Sequence, residues 1–303
     1  MKSTQALSPL SKKRLQAARG FLYPLLVYLF LVTMFPGLYS LWISFTDFQL
    51  NGDRDASFVG FANYAAMFSD NSLFFISLQK TALFVVVALP IQFLLGYLIA
   101  KIFAATNDMR GAVFLRTLYL LPVMITPLSV GLFWSYLLNP SVGVLNAVLG
   151  MLRLPSQAWL SDPSASLFAI MAIYIWQWTP FAAMLILAGL LAISPEIYES
   201  ADVDGARWWD RVWAIDLPLL KKVLGVACIL SIVQIINTFD LILATTNGGP
   251  GTSTLVSAYA VYRDAFHYFQ TGRGAAESIV IMAITVFLSQ TLARYLLKEE
   301  GER

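Results

Sequence analysis

The sequence predicts an all-α integral membrane protein: six transmembrane helices, with a helical elbow between the fourth and the fifth. Three observations carry that prediction. Of 303 residues, 58% are hydrophobic and 13% charged, with a mean hydropathy of +0.69, against roughly 45–50% apolar and about 25% charged in an ordinary soluble domain. The apolar residues gather into six segments long enough to cross a hydrocarbon core roughly 30 Å thick. The segment that joins the fourth to the fifth is long, charged and patterned like a helix. A water-soluble fold is thereby excluded, and a net charge of +2, from 20 basic and 18 acidic residues, argues against a nucleic-acid partner. The single cysteine, Cys228, and the single histidine, His267, leave no internal disulfide and no metal cluster to be made.

The elements follow in order. A basic leader, residues 1–20 with Lys12, Lys13, Arg14 and Arg19, precedes span one. That span, Phe21 to Phe45, has 25 residues, about 37 Å as a helix. It is too long for a signal-peptide core and no small-x-small site follows it, so it reads as a retained helix. Its Pro24 and Pro36 are tolerated where neighbouring helices satisfy the freed carbonyls. Span two runs from about Thr81 to Ala100 between Lys80 and Lys101, whose stems reach the two interfaces. Span three follows Arg116 and ends near Leu138, at Asn139-Pro140-Ser141. Span four covers about Ser166 to Ile193, and span five about Val223 to Thr245, closed by Asn247-Gly248-Gly249-Pro250-Gly251. Span six is about Ala275 to Leu297, and residues 298–303 form a tail. Counted by side, 15 Lys and Arg fall with the leader and 5 (Arg54, Lys80, Arg153, Arg263, Arg273) opposite, so the positive-inside rule places both termini in the cytoplasm.

The loop between spans four and five, residues 194–222, is longer than a bundle connection requires. Ser194-Pro195-Glu196 reads as an N-cap, a proline at the first helical position and an acid in the first turn. Ile197, Tyr198 and Ala201 then share a face. Gly205 ends this helix; a second, from Arg207 to Ile215 with Trp208, Trp209 and Trp213, is stopped by Pro218. From composition alone the elbow is either a contact for another protein or an amphipathic helix lying on the membrane surface.

Glu199-Ser200-Ala201, three residues, Gly205, nine residues, then Ile215-Asp216-Leu217-Pro218 resemble the loop motif of binding-protein-dependent ABC importer permeases, E-A-A, three residues, G, nine residues, I-x-L-P. Only Ser200 departs from the pattern. Asn237-Thr238-Phe239-Asp240 leading to Asn247-Gly248-Gly249-Pro250 resembles the carbohydrate-type permeases, in the half similar to the larger maltose-permease subunit. Gly60-Phe61, Asn63-Tyr64 and Leu121-Pro122 extend the likeness over nearly the whole chain. The resemblance implies a six-helix permease domain over residues 21–297, in the bacterial cytoplasmic (inner) membrane. It implies that the elbow is a coupling helix, with Glu199, Ser200, Ala201, Asp204, Gly205 and Ala206 facing a dimer of ATP-binding subunits. The chemistry agrees: Glu199 offers a carboxylate, Ala201 and Ala206 permit close approach, and Gly205 makes the turn. Asp202, Asp204, Arg207 and Asp210 read as a solvated charged face, and the three tryptophans as packing under the spans. Further implied partners are a second, different permease chain and an extracytoplasmic solute-binding protein. The chain has no Gly-x4-Gly-Lys-Ser/Thr, so ATP and Mg belong to the partner; no cofactor, metal or catalytic residue is expected here.

Polar side chains at lipid depth are costly and point to a substrate path. On span five these are Gln234, Asn237 and Thr238, with Leu241 following; on span four Tyr174, Gln177, Trp178 and Phe181 form one stripe. Aromatic rings beside amides suit a sugar, which presents CH faces and hydroxyls together, and sugar-importing relatives use the corresponding positions. Tyr174, Trp178 and Phe181 either line the path or only pack. Gln92 is expected to bond between helices, Glu277 to pair with Arg273, His267 to lie on an outer surface and Cys228 to pack. A self-contained secondary transporter is the alternative, but Asp240 and Glu277 lie off-centre and such a carrier has no use for the elbow. A membrane enzyme lacks any His, Cys or acid constellation.

Overall fold

A computed structural model describes residues 20, 22–52, 56–69 and 72–297. The leader (apart from Gly20), Arg54 and the tail 298–303 lie outside the described residues. The described backbone is helical, with one isolated antiparallel bridge between Thr46 and Phe58. The helices are α1 (Leu22–Ile43), α2 (Ala62–Met67), α3 (Leu73–Ala105), α4 (Ala112–Tyr119), α5 (Leu121–Met124), α6 (Pro127–Leu137), α7 (Val144–Met151), α8 (Ser166–Leu191), α9 (Pro195–Val203), α10 (Trp208–Ile236), α11 (Asp240–Thr245), α12 (Ser257–Tyr262) and α13 (Thr271–Leu297).

Five of these, α1, α3, α8, α10 and α13, are long and apolar enough to cross a membrane. Span three, expected as one helix, is instead α4, α5 and α6. Pro122 and Pro127 bring no amide hydrogen, and the residues before Pro127 leave the helical region: Ile125 has ψ 137° and Thr126 ψ 139°. Span five begins earlier than Val223 and stops at Ile236; Asn237 caps it, and α11 restarts at Asp240. Pro218 stops nothing. The carbonyl with which its ring would clash, four residues back, lies inside a π-helical stretch, Val212–Asp216, whose widened turn makes room. Pro36 in α1 follows its own π stretch, Phe30–Met34, at the same offset.

α8 is the centre of the molecule: 61% of the residues in its most apolar stretch are buried, against 6% in α1. It packs along α3, where Gly96 lets the backbones close; a Cβ there would sit 3.3 Å from both the Ala182 Cβ and the Ala183 backbone nitrogen. The main core unites Phe84 and Ala88 of α3, Ile170, Met171, Ile173 and Tyr174 of α8, Ile235 of α10, and Leu241 and Ile242 of α11. Gln92 donates to the Trp178 carbonyl at 3.1 Å, the interhelical bond expected of it. After α1, Asn63 donates to the carbonyls of Ser44 and Thr46 at 2.9 and 2.8 Å, so the Gly-Phe-x-Asn-Tyr motif ties the turn that follows α1 to α2. Arg273 pairs with Glu277 at 3.3 Å, as the spacing predicts, and also with Asp264 at 3.1 Å. His267 is exposed, and Cys228 is half-buried among α10 neighbours.

Candidate functional site

Two regions carry the predicted residues. The first is a cavity of about 190 Å³ lined by Pro127, Tyr174, Gln177, Trp178, Gln234, Asn237, Thr238, Phe239, Asp240 and Leu241. Seven of the eight predicted path residues therefore meet in one place; the eighth, Phe181, stands edge-on to Trp178, with ring centroids 6.3 Å apart and planes at 88°. Tyr174 both packs and lines: its ring meets Phe84 edge-on at 5.3 Å, and the residue borders the cavity.

The break in span three contributes directly. At Ile125 the carbonyl has no intrahelical partner, and Gln177 Nε2 donates to it at 2.9 Å. Asn237 was expected within span five; as the cap of α10 it is exposed, with its Nδ2 donating to the Val233 carbonyl at 2.8 Å. Tyr174 Oη, Gln177 Oε1 and Gln234 Oε1 are buried and have no hydrogen-bond partner within the chain. Buried polar atoms are nearly always paired, and three that are not border this one cavity. Sequence reasoning missed Pro127 and Phe239 as lining groups, and placed Asp240 only toward the outer end of span five. Two prolines five residues apart in span three were the sign that the helix would break there.

The second region is the elbow. Ser194 occupies the N-cap position of α9 without a side-chain cap bond, and Pro195 and Glu196 open the first turn as expected. Gly205 has φ +72°, the Gly205 amide donates to the Asp202 carbonyl at 3.1 Å and the Ala206 amide to the Ala201 carbonyl at 2.9 Å. This is a Schellman termination, which needs a residue at home in the left-handed region. Glu199, Ser200, Asp204 and Gly205 are exposed, and Ala201 and Ala206 half-buried beside them, so the motif presents one outward face.

One expectation holds here and one fails. Asp202, Asp204, Arg207 and Asp210 are all exposed, as a solvated charged face should be, with Asp202 pairing with Arg211 across the turn and the Asp210 carboxylate accepting the Arg207 amide at 2.9 Å. Trp208, Trp209 and Trp213 do not pack under the spans; Val212 and Asp216, one helical turn apart, take the inward face and leave all three rings exposed.

Asp216 was passed over as the variable position of the motif. It is fully buried, and its carboxylate accepts the Tyr97 hydroxyl at 2.5 Å, the Tyr198 hydroxyl at 2.5 Å and the Lys101 ammonium at 2.9 Å. One side chain thus ties α9 to α10 and α3. Burial and this carboxylate push the Tyr198 hydroxyl well above the usual phenol range, so it stays a donor.

The family described as binding-protein-dependent transport system inner membrane component matches residues 21–298. The sulfoquinovosyl glycerol transport system permease protein SmoG of Agrobacterium fabrum is 32% identical over 273 residues, 90% of this chain and 88% of that protein. The trehalose/maltose transport system permease protein MalF of Thermococcus litoralis is 33% identical over 280 residues, covering 91% and 92%. The fold is that of a bacterial alginate ABC transporter chain, crystallised with an alginate pentasaccharide-bound periplasmic protein: TM-score 0.81 at 21% identity, over 95% of this chain and 96% of that one. With motif, fold and matched length in agreement, the chain belongs to the family of inner-membrane components of binding-protein-dependent transport systems.

Proposed function

We propose that the chain is one permease subunit of an ABC importer that moves a sugar or related polyol inward across the bacterial cytoplasmic membrane. The observation that carries this reading is the cavity, where aromatic rings and unpaired amide oxygens of α8 and α10 converge. Relatives named for trehalose, maltose and sulfoquinovosyl glycerol support the substrate class. Six crossings follow if the broken run α4–α6 serves as the third, and both termini then lie in the cytoplasm with the elbow between them.

In this reading residues 21–297 form one permease domain, and the outward face of Glu199, Ser200, Ala201, Asp204, Gly205 and Ala206 seats on a dimer of ATP-binding subunits. Those subunits hold ATP and Mg and hydrolyse the nucleotide; this chain binds no cofactor of its own. A cavity of about 190 Å³ falls short of the roughly 300–1,000 Å³ of ordinary ligand pockets. A second permease subunit completes it, and an extracytoplasmic solute-binding protein delivers the sugar.

The test is uptake against sugar concentration in proteoliposomes that contain the whole importer. Asn237→Leu and Trp178→Ala should each lower transport while complex assembly and detergent-solubilised ATPase turnover persist. A buried polar ligand group left unmatched costs about 1–3 kcal/mol, or roughly a fivefold to hundredfold loss of affinity. Wild-type uptake by both variants would place the path elsewhere.

A further inference from the structure

Two grooves of similar size flank α3, one of about 710 Å³ against α4, α5 and α8 and one of about 700 Å³ against α10 and α13. They differ in charge. Among the described residues no Lys, Arg, Asp or Glu lines the first, whereas Lys221 lines the second and no acid does. The second is also graded along its length. Toward the elbow it is bordered by Trp208, Trp209, Trp213 and Tyr295, all exposed, and Lys221 Nζ lies 5.3 Å from the centre of the Tyr295 ring. Farther from the elbow its walls are Phe93, Leu94, Leu224, Cys228 and Leu292. From Trp213 to Cys228 α10 rises about 22 Å, half of the roughly 40–45 Å of a bilayer with its headgroup layers.

Tryptophan and tyrosine rings settle at headgroup level, where an apolar body and a polar tip are both accommodated. A lysine stem lies along apolar surface while its ammonium reaches the headgroups. Lys222 and Arg294, both exposed, add positive charge at the same end of α10 and α13. The acid nearest to Lys221 in sequence, Asp216, is buried and turned to Lys101, Tyr97 and Tyr198, so it sets no exposed negative charge before the groove. A helix of another subunit would cover the walls but gives no account of the grading from cation and interfacial rings to hydrocarbon. An amphiphile with an anionic head accounts for both ends. We infer that the groove between α3, α10 and α13 is a binding site for an anionic phospholipid of the leaflet on the elbow's side, with the phosphate at Lys221 and an acyl chain against Leu94, Leu224 and Leu292. The lipid then bears on the start of α10, the helix that leads out of the elbow.

The experiment is photo-crosslinking on the intact importer in nanodiscs, with phosphatidylglycerol or phosphatidylcholine that carries a diazirine on one acyl chain, and labelled peptides measured by mass spectrometry. Phosphatidylglycerol should label the 93–98 and 217–228 segments about fivefold more than phosphatidylcholine does, and the two should label the uncharged groove, at 168–176, alike. Lys221→Gln should abolish that preference and Lys221→Arg keep it, while labelling by phosphatidylcholine changes in neither. Leu94→Trp, at an exposed position, should fill the groove and lower labelling by both lipids. Equal labelling by the two lipids in the wild type, or a preference that survives Lys221→Gln, would overturn the assignment. So would groove segments that neither lipid labels, with a cysteine at Leu94 cross-linking to a second permease subunit instead. Both leaflets of the nanodisc carry the probe, so an inverted topology would leave these outcomes unchanged.

Discussion

Replacing Asp216 with alanine removes the acceptor shared by Tyr97, Tyr198 and Lys101. Breaking a fully buried ion pair by deleting one partner costs about 3–5 kcal/mol. The Lys101 side chain keeps 27% of its surface exposed and can turn to water, which places its share at or below the bottom of that range. Each abandoned hydroxyl adds about 1 kcal/mol, and because one carboxylate serves all three, the shares do not simply add. The expected loss for Asp216→Ala is about 3–4 kcal/mol, and Asp216→Asn, which keeps the shape but not the charge, should fall between it and the wild type. Tyr198→Phe is the sharper probe, since it removes one bond to a charged acceptor, about 1.5–3 kcal/mol, and leaves no buried charge unpaired. It frees α9 from Asp216 while α3 and α10 stay joined through Tyr97 and Lys101. Thermal melting of the solubilised importer should therefore fall less in Tyr198→Phe than in Asp216→Ala, while stimulation of ATPase activity by the binding protein should drop in both. Full stimulation in Tyr198→Phe together with unchanged melting in Asp216→Ala would refute the idea that this carboxylate anchors the elbow.

Further outcomes are expected. Gly205 has φ +72° and open space around a notional Cβ, so Gly205→Asp should cost only about 1–2 kcal/mol of backbone strain; assembly should survive with stimulated ATPase activity and uptake reduced, and normal values for both would remove the elbow from coupling. A cysteine placed at Arg207 in a Cys228→Ala background should resist an impermeant thiol reagent on intact cells, whereas one at Asp55 should react; the reverse pattern would invert the topology. The Ser57 hydroxyl and amide hold the exposed Asp47 carboxyl below the usual carboxylate range. A depressed folded-state value stabilises the turn above the ordinary carboxylate value of about 3.9 and loses that stabilisation as pH falls through the folded value. Hydrogen-exchange protection of the Asp47 and Val59 amides should accordingly decline at pH below about 4, and protection that is flat with pH would contradict the assignment.

Much of this architecture is legible in the chain because lipid leaves few choices: four of the five long helices lie where apolar runs are framed by charge or by glycine and proline, and α10 starts earlier only because a π stretch absorbs Pro218. Tyr174, Gln177 and Trp178 were recoverable from helical spacing alone, since α8 is continuous through them. What spacing could not give is everything that depends on a backbone leaving the helix. A hydropathy pattern reads Arg116 to Leu138 as one span because Leu, Val and Ile persist through it. The exposed carbonyl at Ile125, which orients Gln177, exists only because Pro127 forces its neighbours to be extended. Asp216 was hidden for a different reason: its three partners come from positions 97, 101 and 198, and no local pattern foretells a contact between segments so distant in sequence.

Two elements join the two regions: α8 runs from the cavity to the start of α9, and α10 runs from the elbow back to the cavity. α10 begins at the elbow, carries Asp216 near its start and ends at Gln234, Ile236 and the Asn237 cap. Asp216 and Gln234 are separated by about 27 Å of helix at 1.5 Å per residue. The chain then breaks at Thr238 and Phe239, and α11 is held by other neighbours: a Cβ at Gly131 of α6 would lie 2.6 Å from that of Ala244, so α6 and α11 are in backbone-close contact. The cavity walls consequently belong to two bodies. Gln234 and Asn237 move with α10; Pro127, Asp240 and Leu241 belong to the α6–α11 pair. A displacement applied at Asp216 and carried along α10 reaches the first wall without reaching the second to the same extent, because the break at Thr238 interrupts the helical hydrogen bonds that would transmit it. That arrangement supplies what coupling between distant sites requires, a packed element whose position both sites sense.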